Sequence, residues 1–313
     1  MKKKILVIET SRILKKIFKK KLSKYNLIYK NFNSQRKFKN YLKQNDFYAI
    51  YCTFGLSIDE DILKNLKNLK FIISPTTGLD HIDVEYCKKK KIRIISLKNK
   101  KNFLKNISAT AELTWALILA LAKNLTNYSS DVLNKNKWNR NQYTNFDLKN
   151  STIGIIGYGR IGKMIERYAK TFGMKVFIYE KLKPKKINNK FYSLKKVLSC
   201  KFVTIHIPLE NNLNFFTSKN LKSLQKNSFL INTSRGDLFE KKNFIKFLKS
   251  KKYLGIGLDV LPSDVIWKNK IPKSFNFIKN LKKSIIVTPH IGGNTQETRI
   301  KTTKFIINRF LKS

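Results

Sequence analysis

Residues 151–163, Ser-Thr-Ile-Gly-Ile-Ile-Gly-Tyr-Gly-Arg-Ile-Gly-Lys, constrain the fold of this 313-residue chain more than any other stretch. An apolar run (Ile153, Ile155, Ile156) stops at Gly157. The spacing Gly157-x-Gly159-x-x-Gly162 then leads into Ile161, Ile165, Tyr168 and Ala169 at helical intervals. A second strand-like run over residues 175–179 ends on Glu180, 23 residues after Gly157. A glycine spacing alone is only a glycine-rich loop. Strand, tight turn, helix, strand and terminal acid in this order make a dinucleotide-binding unit. Gly157 permits the turn, Gly159 lets a pyrophosphate approach the backbone, and Gly162 lets the helix lie against the strand. The helix N-terminus offers unpaired N–H groups and a partial positive charge to phosphate. Glu180 can accept hydrogen bonds from both adenosine ribose hydroxyls.

The chain is long enough for two domains, each with its own core. Its three cysteines, Cys52, Cys87 and Cys200, are scattered and not in metal-ligand spacing, which argues for a reducing compartment and against a disulfide framework or a zinc site. The apolar run after the first lysines is too short for a secretory signal and reads as a first strand. The most apolar window, residues 113–122, is about half a membrane span. These features point to a cytoplasmic protein with no membrane partner. The net charge of +47 suggests a nucleic-acid partner at first sight. However, only nine of the 66 basic residues are Arg, and the lysines run through the whole chain beside abundant Asn, Ile and Phe. A phosphate or base reader would use more Arg forks. The charge therefore reads as compositional bias, with no specific nucleic acid implied, and its consequence is attraction of small anionic substrates.

Strands are expected over residues 4–8, 48–53, 69–74 and 92–95. Between them, helices are expected over 13–22, from the caps Ser57 and Asp59 to about 66, and over 84–90. This first half is a small parallel α/β domain without a glycine fingerprint, so it is assigned to the substrate. A long helix from about Ser108 is apolar over so much of its circumference that it is either buried or shared with a second subunit. Residues 124–150 read as polar and irregular. After Glu180, residues 181–190 read as a basic loop. Strands at 201–207, 226–232, 254–260 and 284–288, and helices at 194–199 and 241–249, complete a six-stranded second half. A closing helix over 295–311 returns to the first domain. The expected division is residues 1–100 for the substrate, 101–288 for the dinucleotide and 289–313 for the return segment.

Four further motifs stand beside the fingerprint: Ile231-Asn-Thr-Ser-Arg235-Gly236, Gly257-Leu-Asp259-Val-Leu-Pro-Ser-Asp264, Thr288-Pro-His290-Ile-Gly-Gly293 and His206-Ile-Pro-Leu209. Together with Thr77-Gly78-Leu-Asp-His-Ile-Asp83, they resemble the D-isomer-specific 2-hydroxyacid dehydrogenases, in family order and over nearly the whole chain. The match is closest to members that are phosphoglycerate dehydrogenase-like. The resemblance implies two doubly wound parallel-sheet domains, a flavodoxin-like substrate domain and a Rossmann NAD-binding domain, with an interdomain cleft, and a homodimer through the helix near residues 109–122.

It further implies that Arg235 binds the substrate and that His290 is the acid/base, held by an acidic partner. Both assignments make chemical sense. A guanidinium fork matches a carboxylate and the adjacent carbonyl oxygen, and an imidazole titrates near working pH. By the same resemblance Asp259 meets the nicotinamide carboxamide, Arg160 and Ile161 contact the pyrophosphate, and Pro208 and Thr233 line the nicotinamide side. Thr77 and Gly78 would offer backbone N–H groups to the substrate carboxylate. His206 is expected to be a packed histidine beside the cofactor, and His81 a structural one.

The chain departs from the family at the third catalytic position, where Asp264 stands for the usual Glu. Its carboxylate reaches about 1.5 Å less far, so its hold on His290 requires a backbone shift or a bridging water. Glu180 repels a 2′-phosphate and favours NAD, while Lys181 and Lys183 leave NADP as an alternative. The expected activity is hydride transfer at C2 of a D-2-hydroxy acid or 2-oxo acid. The basic charge brings 3-phosphoglycerate forward beside lactate, glycerate and larger acids. The rival reading is a non-enzymatic NAD(H)-sensing protein on the same fold.

Overall fold

The computed structural model describes residues 2–8, 11–182, 190–250, 252–267, 271–281 and 284–313. In chain order it begins β1 (Lys4–Val7), α1 (Arg12–Lys21), β2 (Asn26–Tyr29), α2 (Gln35–Gln44), β3 (Ala49–Tyr51) and α3 (Glu60–Leu63). It continues β4 (Phe71–Ser74), α4 (Val84–Lys89), β5 (Arg93–Ser96), α5 (Lys101–Leu104), α6 (Ala109–Ala122) and α7 (Leu125–Lys135). Next come β6 (Thr152–Ile156), α8 (Arg160–Thr171), β7 (Lys175–Tyr179), α9 (Leu194–Leu198), β8 (Phe202–Ile205) and α10 (Ser218–Lys222). It closes with β9 (Ser228–Asn232), α11 (Lys241–Lys249), β10 (Tyr253–Leu258), β11 (Ser284–Val287) and α12 (Gln296–Leu311). Two units result: Met1–Ile107 with Ser263–Pro272 and Asn294–Ser313, and Ser108–Pro262 with Lys273–Gly293.

The first unit holds a five-stranded parallel sheet in the order β2-β1-β3-β4-β5. Its central strands are apolar without interruption because both faces are covered. Ile5, Val7, Ala49, Tyr51, Phe71 and Ile73 share one core with Leu14 and Phe18 of α1 and Ile306, Ile307 and Phe310 of α12. Leu6, Ile50 and Ile72 point the other way, into a core with Phe38 and Leu42 of α2, Ile62 and Leu63 of α3 and Cys87 of α4. Strand alternation thus sorts neighbouring residues into two separate cores. The return helix α12 packs on α1, β4 and β5, and Phe305 stacks on Phe103 at 3.9 Å.

β2 and α2 have no counterpart among the elements expected from the sequence. β2 is a four-residue edge strand with no fully buried side chain, so it shows little apolar pattern. α2 buries only Phe38 and Leu42 and starts at Ser34, whose hydroxyl accepts from the Lys37 amide. Likewise α7 is a helix where an irregular stretch was expected. It is bounded by Asn124 and Asn136 in the left-handed region, and the one side chain it fully buries is Asp131. Apolar periodicity cannot reveal such a helix.

The second unit holds a six-stranded parallel sheet in the order β11-β10-β9-β8-β6-β7. Beyond β7 a further position is reduced to a single bridge, Ile178 to Phe191. Of the basic stretch 181–190, residues 183–189, including Lys183, lie outside the described residues. Strand order reverses between β6 and β8, which places the switch point beside the glycine turn. α6 packs on α8, β9, β10 and β11 and buries Ala111, Thr114, Leu117, Ile118 and Leu121 within this unit. No helix among the described residues is long and apolar enough to cross a membrane. All three cysteines are free and buried.

The sheet's centre is pinned by Phe229, which stacks on Phe202 at 4.7 Å and meets Phe146 edge-on at 5.5 Å. Phe229→Ala should destabilise the chain by roughly 3–5 kcal/mol, as read from urea unfolding. A loss below about 1 kcal/mol would show that this stack is not part of the core.

Candidate active site

Every site candidate in the second unit follows the carboxyl end of a strand in the one parallel sheet, so all lie along the same edge. The glycine turn comes first. Gly157 has φ +95°, and a Cβ there would lie 2.8 Å from the His206 carbonyl. At Gly162 a Cβ would lie 2.1 Å from the Gly157 carbonyl oxygen, so α8 can start against the turn only with glycine at this place. Gly159 faces open space, and as the residue before α8 it has no side chain to cap the helix. Arg160 and Ile161 form the first turn of α8, the part of a helix whose amides suit a phosphate. Burial lowers the Arg160 guanidinium pKa from its ordinary value. Glu180, at the end of β7, accepts hydrogen bonds from the Tyr158 amide at 2.7 Å and the Leu182 amide at 3.2 Å. A carboxylate has about four acceptor positions, so Glu180 keeps capacity for ribose hydroxyls. The open space at Gly159 and the acid under the turn fit a dinucleotide.

β9, β10 and β11 are neighbours, and the loops that follow them carry Arg235, Asp259 and His290. The Arg235 turn is built on Asn232, which is fully buried. The Asn232 side chain accepts from the Ser234 amide at 3.0 Å and hydroxyl at 2.8 Å, and it donates to the Arg235 carbonyl at 2.9 Å. Arg235 itself is extended and half-buried, and its Nη1 donates to the Ser234 carbonyl at 2.8 Å. Thr233 is buried, and its hydroxyl meets that of Thr114 on α6 at 2.7 Å.

The turn bearing His290 is built on Asp259, which is 1% exposed. Oδ1 of Asp259 accepts from the Thr288 hydroxyl at 2.6 Å and the Ile291 amide at 2.8 Å, and Oδ2 accepts from the Gly292 amide at 2.7 Å. The His290 amide donates to the Asp259 carbonyl at 2.8 Å. His290 sits at φ +55°, an uncommon conformation for a side-chain-bearing residue that persists only where the surroundings enforce it. Thr110 of α6 donates from its hydroxyl to the Gly292 carbonyl at 3.1 Å and closes the frame. Burial raises the Asp259 carboxyl pKa, against the opposing pull of its three donors and His290.

His206 follows β8, with its amide donating to the Ile156 carbonyl at 2.7 Å. Its Nε2 is buried with no hydrogen-bond partner among the described residues, and burial pulls the imidazole down to about 3. It is therefore a neutral packed residue behind the glycine turn. Pro208 is exposed two residues on.

The first unit carries the remaining candidates, after β4 and in the segment Ser263–Pro272. Thr77 is exposed and Gly78 half-buried. The Gly78 carbonyl accepts from the Thr76 hydroxyl at 2.8 Å. Among the described residues neither the Thr77 nor the Gly78 amide donates a hydrogen bond. His81 is 1% exposed, and its Nε2 lies 3.3 Å from the Ser74 hydroxyl. Asp264 begins a short 3-10 turn after Ser263, which has φ +65°. This turn is tied to the loop after β3 by the Gly55 amide donating to the Val265 carbonyl at 2.9 Å. Asn232, Thr110 and Thr114 received no role in the sequence reading. Asn232 stands inside a quoted motif, but nothing in the residue types reveals that its amide carries the arginine turn.

Comparison with known proteins adds the family. Residues 115–292 match the model described as the D-isomer specific 2-hydroxyacid dehydrogenase, NAD binding domain. A glyoxylate reductase of Thermococcus litoralis is 31% identical over 255 residues, covering 77% of this chain and 73% of that protein. A D-3-phosphoglycerate dehydrogenase of Methanocaldococcus jannaschii is 29% identical over 252 residues, covering 78% of this chain and 45% of that protein. Among solved structures, D-lactate dehydrogenase of Aquifex aeolicus, complexed with NAD and lactic acid, is similar with a TM-score of 0.84 at 25% identity, covering 99% of this chain and 95% of that one.

The buried His206 has a pH consequence. Its folded pKa lies below the ordinary 6.5, so the unfolded chain binds the extra proton. Stability is complete above about pH 6.5 and is lost as pH falls toward 3. Between pH 7 and 5 the wild type should lose roughly 1–2 kcal/mol more than His206→Asn, as measured by urea midpoints. Equal losses in the two proteins would contradict the burial of a neutral ring.

Proposed function

The chain belongs to the D-isomer-specific 2-hydroxyacid dehydrogenases, and from that membership we propose that it interconverts a small 2-oxo acid and the D-2-hydroxy acid by hydride transfer at C2. NAD, when bound, supplies or accepts the hydride. Gly157, Gly159, Arg160, Ile161 and Gly162 would hold its pyrophosphate and Glu180 its ribose. Thr233, Pro208 and Asp259 would flank the nicotinamide. The carboxylate on Glu180 favours NAD over a cofactor with a 2′-phosphate.

The chain's own groups account for the rest of the chemistry. Arg235 would bind the substrate carboxylate and the C2 oxygen with its planar fork, and the amides of Thr77 and Gly78 would take the other side of the carboxylate. In reduction, His290 would give its proton to the C2 oxygen as the hydride arrives at C2. In oxidation it would take that proton back. Asp264 would orient His290 and support its protonated form. The observation that carries this reading is the adjacency of β9, β10 and β11, which sets the Arg235 turn and the His290 turn on either side of the Asp259 loop at one sheet edge. The names of the relatives span glyoxylate, phosphoglycerate and lactate, which agrees with a shared reaction at C2 and a variable substituent beyond it.

His290→Ala should lower kcat for NADH oxidation with a 2-oxo acid by about 10²–10⁴-fold, the usual worth of a positioned acid, with NADH affinity retained. Arg235→Lys should raise KM for the acid as well. Undiminished turnover in His290→Ala, or wild-type NADH binding without turnover on any 2-oxo acid, would overturn the reading, the latter in favour of an NAD(H)-sensing role.

A further inference from the structure

β4 is apolar up to its last residue, Ser74, which is fully buried. A hydroxyl in such a place is costly unless it is hydrogen-bonded, and this one has two partners. Ser74 Oγ lies 2.9 Å from the Thr76 hydroxyl and 3.3 Å from Nε2 of His81, itself buried. The Thr76 hydroxyl in turn donates to the Gly78 carbonyl at 2.8 Å. Cys52, the residue after β3, brings its Sγ within 3.9 Å of the same Nε2. Burial pushes the Cys52 thiol up to about 12, so it puts no charge beside these groups.

Counting protons gives this chain of contacts a direction. Each hydroxyl has one proton to donate. Thr76 gives its proton to the Gly78 carbonyl, so its oxygen accepts from Ser74. Ser74 then has none left for His81, and Nε2 of His81 must donate to Ser74. The bonds run one way, from His81 through Ser74 and Thr76 to the Gly78 carbonyl, and they require hydrogen on Nε2 of His81. The histidine end is anchored by main chain. Its carbonyl accepts from the Ile58 amide at 2.7 Å, and the Ile58 carbonyl accepts from the Asp83 amide at 2.9 Å.

The relay ends on the residue of the loop with the least backbone restraint, since glycine has no Cβ to limit its dihedrals. The other side of the loop is held separately. The Thr76 carbonyl accepts from the Leu97 amide at 3.0 Å. In a planar trans peptide the N–H points opposite to the C=O, so this bond sets the direction of the Thr77 amide. The peptide that carries the Gly78 amide lies between that fixed plane and the plane fixed by the relay. Neither amide donates to a group among the described residues, so both are held in direction while their protons stay available.

We propose, on the reading given above in which these two amides take the substrate carboxylate, that His81, Ser74 and Thr76 are positioning residues whose relay holds the Gly78 peptide, so that the amides of Thr77 and Gly78 meet the carboxylate already aligned. The carboxylate is unchanged by hydride transfer, so the relay serves substrate and transition state alike. Its loss falls on KM and spares kcat.

The test is steady-state kinetics of the purified full chain with NADH and glyoxylate, pyruvate or hydroxypyruvate, beside NADH affinity, for wild type, Thr76→Val, Thr76→Ser and Ser74→Ala. Thr76→Val keeps the shape and removes the donor. It should raise KM for the acid by ~10-fold, with kcat within about threefold of wild type and NADH affinity unchanged. Ser74→Ala should move KM in the same direction. Thr76→Ser restores the hydroxyl and should bring KM back to within about twofold of wild type. An unchanged KM in folded Thr76→Val, or a KM in Thr76→Ser as high as in Thr76→Val, would overturn the inference while leaving the dehydrogenase reading intact. Nitrogen NMR of the histidine rings reads the relay without turnover. With the three histidines assigned from the signals lost in His206→Asn and His290→Ala, His81 should carry hydrogen on Nε2, and hydrogen on Nδ1 alone would overturn the relay whatever the kinetics. Absence of turnover by the wild type on all three acids would instead overturn the dehydrogenase reading, and the relay's role toward a substrate carboxylate with it.

Discussion

The site of the second unit depends on one buried carboxylate. Asp259 accepts from the Thr288 hydroxyl and the Ile291 and Gly292 amides, and its backbone carbonyl takes the His290 amide. A turn that puts a histidine at φ +55° does not form on local preference. It forms here because an acid at the end of a buried strand collects the donors on either side of that residue. Burial raises the cost of charge on Asp259, and the three donors offset part of it. An isolated buried carboxylate would be prohibitive, whereas one that organises a loop is sustained by it. Asn232 does the same on the adjacent strand, where its amide joins Ser234 and the Arg235 carbonyl. On the proposed reading, the substrate-binding arginine and the acid/base thus stand on two polar anchors in one sheet, and α6 ties both through Thr114 and Thr110.

The cofactor end is built by exclusion. Gly157 and Gly162 are required because a methyl group would meet main chain at 2.8 and 2.1 Å. Gly159 faces open space, which on the proposed reading the pyrophosphate would use. Glu180 then reaches back to the Tyr158 amide, which couples the end of β7 to the turn after β6. His206 packs behind the turn as a neutral ring.

Much of this was legible in the chain before any coordinates, for physical reasons. Continuous apolar runs mark strands covered on both faces, so all six strands of the second sheet and four of the five in the first stand out. Glycine spacing reports main-chain contacts directly, and the Arg235 and His290 motifs follow strand ends, where an open parallel sheet binds ligands. What was hidden has a common cause. β2 and α7 bury little apolar surface, so periodicity is silent about them. The roles of Asn232 and Asp259 as anchors consist of hydrogen bonds to main chain a few residues away on one side and dozens away on the other, which residue type does not encode.

The account turns on Asp259 as the anchor of His290, and Asp259→Asn tests it most directly. The variant keeps shape but replaces one acceptor with a donor facing an amide. Kinetics of NADH oxidation with the preferred 2-oxo acid, beside NADH affinity and a urea midpoint, should show a folded protein that binds NADH and has lost about 10²-fold in kcat, the scale of a misplaced catalytic group. A folded variant with kcat within about twofold of wild type would contradict the account, because the position of His290 would then not depend on the buried carboxylate.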